Sequence, residues 1–123
     1  MNKEFVTYKQ ALALKELGFD EECLAGYIRL FASGTFEIAF YKDRTIDFNT
    51  TSNIYVSAPL KSQVFRWFRE KYGLCNFINF SGCGFCSGWE DLGNNEHGFE
   101  NFKTYEEAEN ACIDKLIEIA KLQ

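Results

Sequence analysis

The stretch Ser57–Leu74, SAPLKSQVFRWFREKYGL, specifies its secondary structure more clearly than any other part of the sequence. Its large apolar residues recur at the three- and four-residue spacing of an amphipathic helix, and its charged residues fall between them. Ser57 is a residue type that caps helices, Pro59 suits a first helical turn, and Gly73 suits the position after the last turn. The stretch therefore predicts a helix that begins after Ser57 and ends at Gly73.

A helix and a β-hairpin are predicted before this stretch. Thr7–Gly18, TYKQALALKELG, combines a Thr-x-x-Gln capping pattern with helical spacing and a terminal glycine. In Phe36–Tyr41 large apolar residues occupy every second position, which predicts a half-buried strand. The apolar run Cys23–Phe31 predicts its partner strand, with a turn at Ser33-Gly34. The polar segment that follows predicts a loop with a brief extended piece at Ile54–Val56.

A second hairpin and a last helix are predicted after the central helix. Alternating residues on both sides of the glycine-rich turn Gly82-Cys83-Gly84 indicate two strands, and NNEHG (94–98) indicates a further turn. Thr104–Glu107 opens the last helix with another capping box. The order α-β-β-α-β-β-α predicts an α+β fold that forms a single domain over residues 1–123. We expect a mainly antiparallel four-stranded sheet with the helices packed on one face.

Composition excludes several classes of protein. The chain has 123 residues, of which 46% are hydrophobic and 17% aromatic, so it is too apolar for a disordered protein. Its net charge is −5, and it has no basic stripe that could neutralise phosphates, so we expect no nucleic-acid partner. No run is apolar and long enough to span a membrane, and the first residues do not resemble a signal peptide, so we expect a cytoplasmic protein with free thiols.

The pair Cys83-x-x-Cys86 is the one motif that suggests chemistry. A redox site would need a helix after the motif, and Gly88 and Gly93 make a long helix there unfavourable. A structural zinc site needs four ligands, and Cys75 and the single histidine, His97, could complete one with this pair. The purely structural alternative is a hairpin turn formed by glycine residues that carries two small thiols, and we favour it. Accordingly we predict no metal and no cofactor, with a zinc or thiol module as the alternative.

No catalytic constellation is recognisable, because the chain has one histidine and no phosphate loop or dinucleotide fingerprint. We therefore predict a non-enzymatic protein. The central helix carries the only local excess of positive charge, next to aromatic residues. A solvated helix face explains this pattern, and an interaction face is the alternative. The candidate residues for such a face are Lys61, Arg66, Trp67, Arg69 and Tyr72.

Three segments resemble a group of short proteins of Bacteroidales phages and related mobile elements. They are Tyr8–Glu21 (YKQALALKELGFDE), Ala58–Leu74 (APLKSQVFRWFREKYGL) and Phe102–Lys121 (FKTYEEAENACIDKLIEIAK). The CGFC stretch departs from the pattern of the group, which argues against a thiol or metal role shared by its members. The resemblance implies an accessory protein in the cytosol of a bacterial host. We expect it to act by binding a protein partner, which could be a second copy of itself, and it supplies no catalytic residue.

Overall fold

The computed structural model describes residues 2–29, 36–40, 45–51, 55–82, 84–91 and 96–123. These residues form a 3-10 turn (Asn2–Glu4) and the helices α1 (Tyr8–Glu16), α2 (Phe48–Thr51), α3 (Lys61–Tyr72) and α4 (Tyr105–Lys121). The strands are β1 (Ala25–Arg29), β2 (Phe36–Phe40), β3 (Tyr55–Ser57), β4 (Cys75–Ser81), β5 (Gly84–Glu90) and β6 (Glu96–Phe102). They form two separate antiparallel sheets, with strand orders β2-β1-β3 and β4-β5-β6. The chain divides into two compact units, Met1–Leu60 and Lys61–Gln123.

In the first unit, both ends of α1 are fixed by the residues that the sequence suggested. The Thr7 hydroxyl accepts from the backbone N–H of Gln10, and the Gln10 side chain accepts from the backbone N–H of Thr7. At the other end Gly18 has a positive φ of 89°, and the N–H groups of Gly18 and Phe19 bond back to carbonyls of the last turn. Phe19 and Leu14 are both buried there. The helix therefore stops where glycine can adopt the left-handed conformation.

Helices cover both faces of the first sheet. The Tyr8 ring of α1 packs on Tyr27 and stacks on Phe36, with ring centroids 5.5 and 4.2 Å apart. The Tyr27 hydroxyl donates to the carbonyl of Val6 over 2.6 Å, which satisfies a buried polar group. On the opposite face, the Phe48 ring lies directly against Gly26, so that a Cβ at that position would stand 3.1 Å from the ring.

A buried polar network holds α2 against β3. The Ser57 hydroxyl accepts from the backbone N–H of Phe48, and the Asn49 side chain accepts from the backbone N–H of Ser57, each over 3.0 Å. The Asn49 amide also donates to the carbonyl of Phe19 over 2.8 Å. Asp47 accepts from both the backbone and the side chain of Thr50, and so caps this single helical turn.

In the second unit, both helices lie on one side of the sheet. The Phe85 ring meets Tyr105 of α4, and Lys115 of α4 lies over the Trp89 ring. Since side chains alternate along a strand, Phe85, Ser87 and Trp89 share the face that α4 covers. Helix α3 contacts both α4 and β4, so it packs on the same side. Cys86 belongs to the opposite face of the sheet.

The predicted α+β class and the predominance of antiparallel pairing are confirmed, whereas the predicted element order and the single four-stranded sheet are wrong. Strand β3 lies in a segment that was expected to be mostly loop, and α2 precedes it unpredicted. Strand β6 includes part of the expected NNEHG turn. Each extra strand pairs with a central strand, β1 or β5, and this gives two sheets. Whether the chain is one folding domain stays a prediction.

The two predicted hairpins are confirmed as β1–β2 and β4–β5, and the predicted extended piece at Ile54–Val56 overlaps β3. The Ser33-Gly34 turn lies outside the described residues. Helix α3 begins at Lys61, so Ser57 is a strand residue and not its cap, while Gly73 ends it with a positive φ of 68°.

Candidate interaction surface

Three aromatic side chains form a partly exposed cluster on the second unit, which we call the aromatic patch: Phe80, Phe85 and Tyr105. The ring centroids of Phe80 and Phe85 are 5.3 Å apart, and those of Phe85 and Tyr105 are 5.7 Å apart in an edge-to-face arrangement. Phe80 is 75% exposed and Tyr105 is 45% exposed. Such exposure is unusual for a phenylalanine that has neighbouring apolar rings to pack against.

The hairpin register brings the first two rings together. Ser81 pairs with Gly84, which leaves Gly82 and Cys83 as the loop and makes Phe80 and Phe85 a directly opposed cross-strand pair. Gly84 has a φ of +129°, and a Cβ there would stand 2.4 Å from the carbonyl oxygen of Phe102. Glycine is therefore required for β5 to leave the turn in this direction.

The third ring is placed by the start of α4. The Thr104 hydroxyl accepts from the backbone N–H of Glu107 over 3.2 Å and caps the helix, so that Tyr105 is its first residue. Partial burial, and then the charge of Glu109, raise the pKa of Tyr105 above its usual value. The phenol is therefore neutral at physiological pH and can donate a hydrogen bond at the edge of the patch.

The structure does not bring the five candidate residues of α3 together on one exposed face. Lys61 and Trp67 are only 4% and 5% exposed. Arg66 and Arg69 are exposed and three residues apart, so they lie on one side of the helix. Tyr72 is half-buried against the Trp67 ring. The exposed part of the predicted interaction face is therefore reduced to two arginines and the edge of one tyrosine.

Buried Lys61 has a structural partner. Its Nζ lies 3.7 Å from Oε1 of Glu109 on α4, and the Glu109 side chain is only 16% exposed. A lysine so deeply buried needs a nearby opposite charge. The pair therefore links the first turn of α3 to α4, and Lys61 is not available to a binding partner.

The four candidate zinc ligands are not assembled as far as they are described. Cys75 is exposed and Cys86 half-buried, and both belong to the sheet face opposite α4. Cys75 pairs with Glu90, four residues along β5 from Cys86, which separates the two thiols by about 13 Å along the strand. Cys83 and the side chain of His97 lie outside the described part. Within that part, no three His, Cys, Asp or Glu side chains cluster closely enough to hold a metal ion.

Two further cysteines are core residues. Cys23 and Cys112 are 1% and 0% exposed. Burial, and then the charge of Glu109, raise the pKa of Cys112 to about 12. The neutral thiol donates to the carbonyl of Gly88 over 3.4 Å, which ties α4 to β5.

Sequence reasoning missed the aromatic patch, although the contact between Phe80 and Phe85 could have been predicted from the sequence. A two-residue loop at Gly82-Cys83 fixes Phe80 opposite Phe85 by counting outward from the turn. Nothing in the sequence places Tyr105 beside them, because that contact depends on how α4 crosses the sheet.

Comparison of the chain with protein-family models, with curated proteins and with solved structures finds no match. In the part of the chain that the structure describes, no helix has the length and apolar character needed to cross a membrane.

Proposed function

We propose that this chain is a small non-enzymatic binding protein that contacts a protein partner through the aromatic patch. The observation that carries the proposal is the exposure of Phe80, which is 75% exposed although it is paired with Phe85 and linked through it to Tyr105. The resemblance of its helices to short phage and mobile-element proteins supports an accessory role in the cytosol of a bacterial host.

Aromatic side chains dominate the energetics of protein interfaces, since they bury a large area with few rotatable bonds. In the aromatic patch, the Phe85 ring contacts both of the more exposed rings. The Tyr105 hydroxyl adds a hydrogen-bond donor at the rim. A partner with an apolar pocket would therefore gain most of its binding energy from Phe80, with Tyr105 setting the orientation.

The charges beside the patch favour a protein with a basic rim. Glu106 and Glu107 follow Tyr105 in the first turn of α4, where they also interact favourably with the helix dipole. Single-stranded nucleic acid also stacks on aromatic rings, but it needs a basic groove alongside them. The acids next to Tyr105 would repel phosphates, whereas they would attract lysine or arginine residues around a pocket.

The experiment compares two truncations of exposed apolar side chains on the second unit. Phe80→Ser removes the most exposed ring of the patch, and Leu122→Ser is the control, because Leu122 is 83% exposed at the far end of α4. Proteins captured from a Bacteroidales lysate by the unmodified chain would be purified, and their binding to the unmodified chain and to both variants would be titrated by calorimetry. We expect Phe80→Ser to weaken binding at least tenfold, about 1.4 kcal/mol. Equal affinities for the two variants would exclude the patch as the contact surface.

A further inference from the structure

Strand β4 differs from the other edge strands among the described residues in having no protection against pairing with another strand. An edge strand exposes unpaired backbone N–H and C=O groups, and proteins commonly shield it with charge, proline or short length. Strand β3 has only three residues, β2 carries Glu37, and β6 carries Glu96 and Glu100. Strand β4 is seven residues long, CNFINFS, with neither charge nor proline.

The side chains of β4 are also accessible. Strand β4 pairs with β5 along one side, and within the described ranges no strand pairs with its other side. None of its six residues with a described side chain, Cys75 to Phe80, is buried, and Cys75, Asn79 and Phe80 are exposed. An incoming strand would therefore meet both a backbone edge that no described strand occupies and partly exposed side chains.

We propose that β4 pairs antiparallel with β4 of a second copy of this chain, so that two three-stranded sheets join into one sheet of six strands. The register that pairs all seven residues places Ile78 opposite Ile78 of the second copy, on the two-fold axis. Phe77 then lies opposite Asn79, and Asn76 opposite Phe80. This interface is self-complementary, as a two-fold dimer requires.

The chemistry of the strand favours a second copy over another partner. Each copy of the second unit is acidic, with ten acids against seven bases, so contacts that oppose its acids in two copies are unfavourable. Strand β4 is the edge along which two copies bring no like charges into opposition. Backbone hydrogen bonds would supply affinity, and the Ile78–Ile78 contact would fix the register. The proposal goes beyond the proposed function, because it rests on the backbone edge of β4, which shares only Phe80 with the aromatic patch.

Two substitutions of the same type test it. Asn79, Cys86 and Asn101 form one cross-strand row on β4, β5 and β6, and both asparagines are exposed. In the proposed dimer, Asn79→Lys places two lysines on one face as diagonal cross-strand neighbours, whose Cα atoms are about 7–8 Å apart. Asn101→Lys adds the same charge to the same face at the opposite edge of the sheet, and so controls for net charge and for folding.

Sedimentation velocity over a concentration series gives the readout. We expect the unmodified chain and Asn101→Lys to convert from monomer to dimer at the same concentration, and Asn79→Lys to require at least tenfold more protein. A monomer at every concentration of the unmodified chain would overturn the proposal. So would a dimer that Asn79→Lys leaves intact, or one that both substitutions weaken equally.

Amide hydrogen exchange of the unmodified chain gives a second test that needs no variant. Alternate amides of β4, those that point away from β5, should exchange more slowly as the concentration rises, while β6 is unchanged. Exchange rates in β4 that do not depend on concentration would overturn the proposal. Both measurements contain only this chain, so their outcome is separate from that of the capture experiment with Phe80→Ser.

Discussion

Gly84 lies so close to Phe102 that a single added methyl group would stand 2.4 Å from the carbonyl oxygen of Phe102. Gly84 also has a φ of +129°, which is unfavourable for every residue with a side chain. Gly82, two residues earlier, is exposed, and a Cβ added there would have no atom within 4 Å. The two glycines of one turn are therefore under different constraints.

We expect Gly84→Ala to lower the free energy of unfolding by about 2–4 kcal/mol, because backbone strain and displacement of the β6 carbonyl add together. Gly82→Ala should change it by less than about 0.5 kcal/mol. Urea denaturation followed by tryptophan fluorescence measures both, since Trp89 lies on the affected strand. Similar values for the two variants would show that the approach to Phe102 is not a constraint.

The close contact between Gly26 and Phe48 gives a prediction for the first unit. A Cβ at Gly26 would meet three atoms of the Phe48 ring at 3.1 Å, so the ring must move to admit an alanine. We expect Gly26→Ala to cost about 1–3 kcal/mol, and to cost less in a Phe48→Leu background, where the smaller side chain leaves room. A double-mutant cycle measured by denaturation gives the coupling energy. Additive effects would mean that the alanine is disfavoured for a reason other than the ring.

Two fully buried serines in strands differ in their hydrogen bonding. The Ser57 hydroxyl accepts from the backbone N–H of Phe48, whereas that of Ser87 has no partner among the described residues. Ser57→Ala should therefore cost about 1–3 kcal/mol by leaving the Phe48 N–H unsatisfied, and Ser87→Ala should be neutral or stabilising. Thermal unfolding of the two variants provides the comparison. A destabilised Ser87→Ala would reveal a hydrogen bond to buried water.

The thiol of Cys112 predicts a loss of stability at alkaline pH. Its pKa rises from an ordinary 9.0 to about 12 in the folded protein, so the unfolded chain releases the proton first. Above pH 9 the unfolded state binds fewer protons than the folded state, and the free energy of unfolding falls by up to about 1.4 kcal/mol per pH unit until the folded pKa is reached. In Cys112→Ala this contribution to the fall of the free energy of unfolding with pH should disappear. Parallel slopes for both chains between about pH 9 and 10.5 would contradict the assignment, since the tyrosines titrate equally in both.

The sequence was sufficient for elements whose signals are local. The Thr7 capping box, Gly18 and Gly73 fix helix ends through contacts within a few residues, and they were predicted correctly. The β4–β5 hairpin follows from its glycine turn in the same way. Such features depend on neighbouring residues alone, and that is why they can be derived from pattern and propensity.

Elements whose stability comes from distant residues could not be derived in this way. Strand β6, EHGFENF, has two acids and a glycine, and forms because β5 offers a backbone edge with which five of its residues pair. Helix α2 is one turn long, and it depends on buried Ser57 and on Asn49. Lys61 was expected on an exposed face, but the crossing of α3 and α4 places Glu109 beside it. In each case tertiary context decided what the local pattern left open.

The zinc site that the Cys83-x-x-Cys86 motif suggested is the last feature that a direct measurement can settle. Because Cys75 and Cys86 are held about 13 Å apart by the β4–β5 register, they cannot bind one ion together without breaking the hairpin. We expect the untagged protein to contain no stoichiometric zinc, and Cys83→Ser with Cys86→Ser to change the melting temperature by no more than about 2 °C. Metal analysis by mass spectrometry and calorimetric melting with and without a chelator provide the data, with Cys75→Ser as the matched exposed control. One zinc per chain, lost together with stability in the double variant but not in Cys75→Ser, would establish a metal site at the hairpin turn.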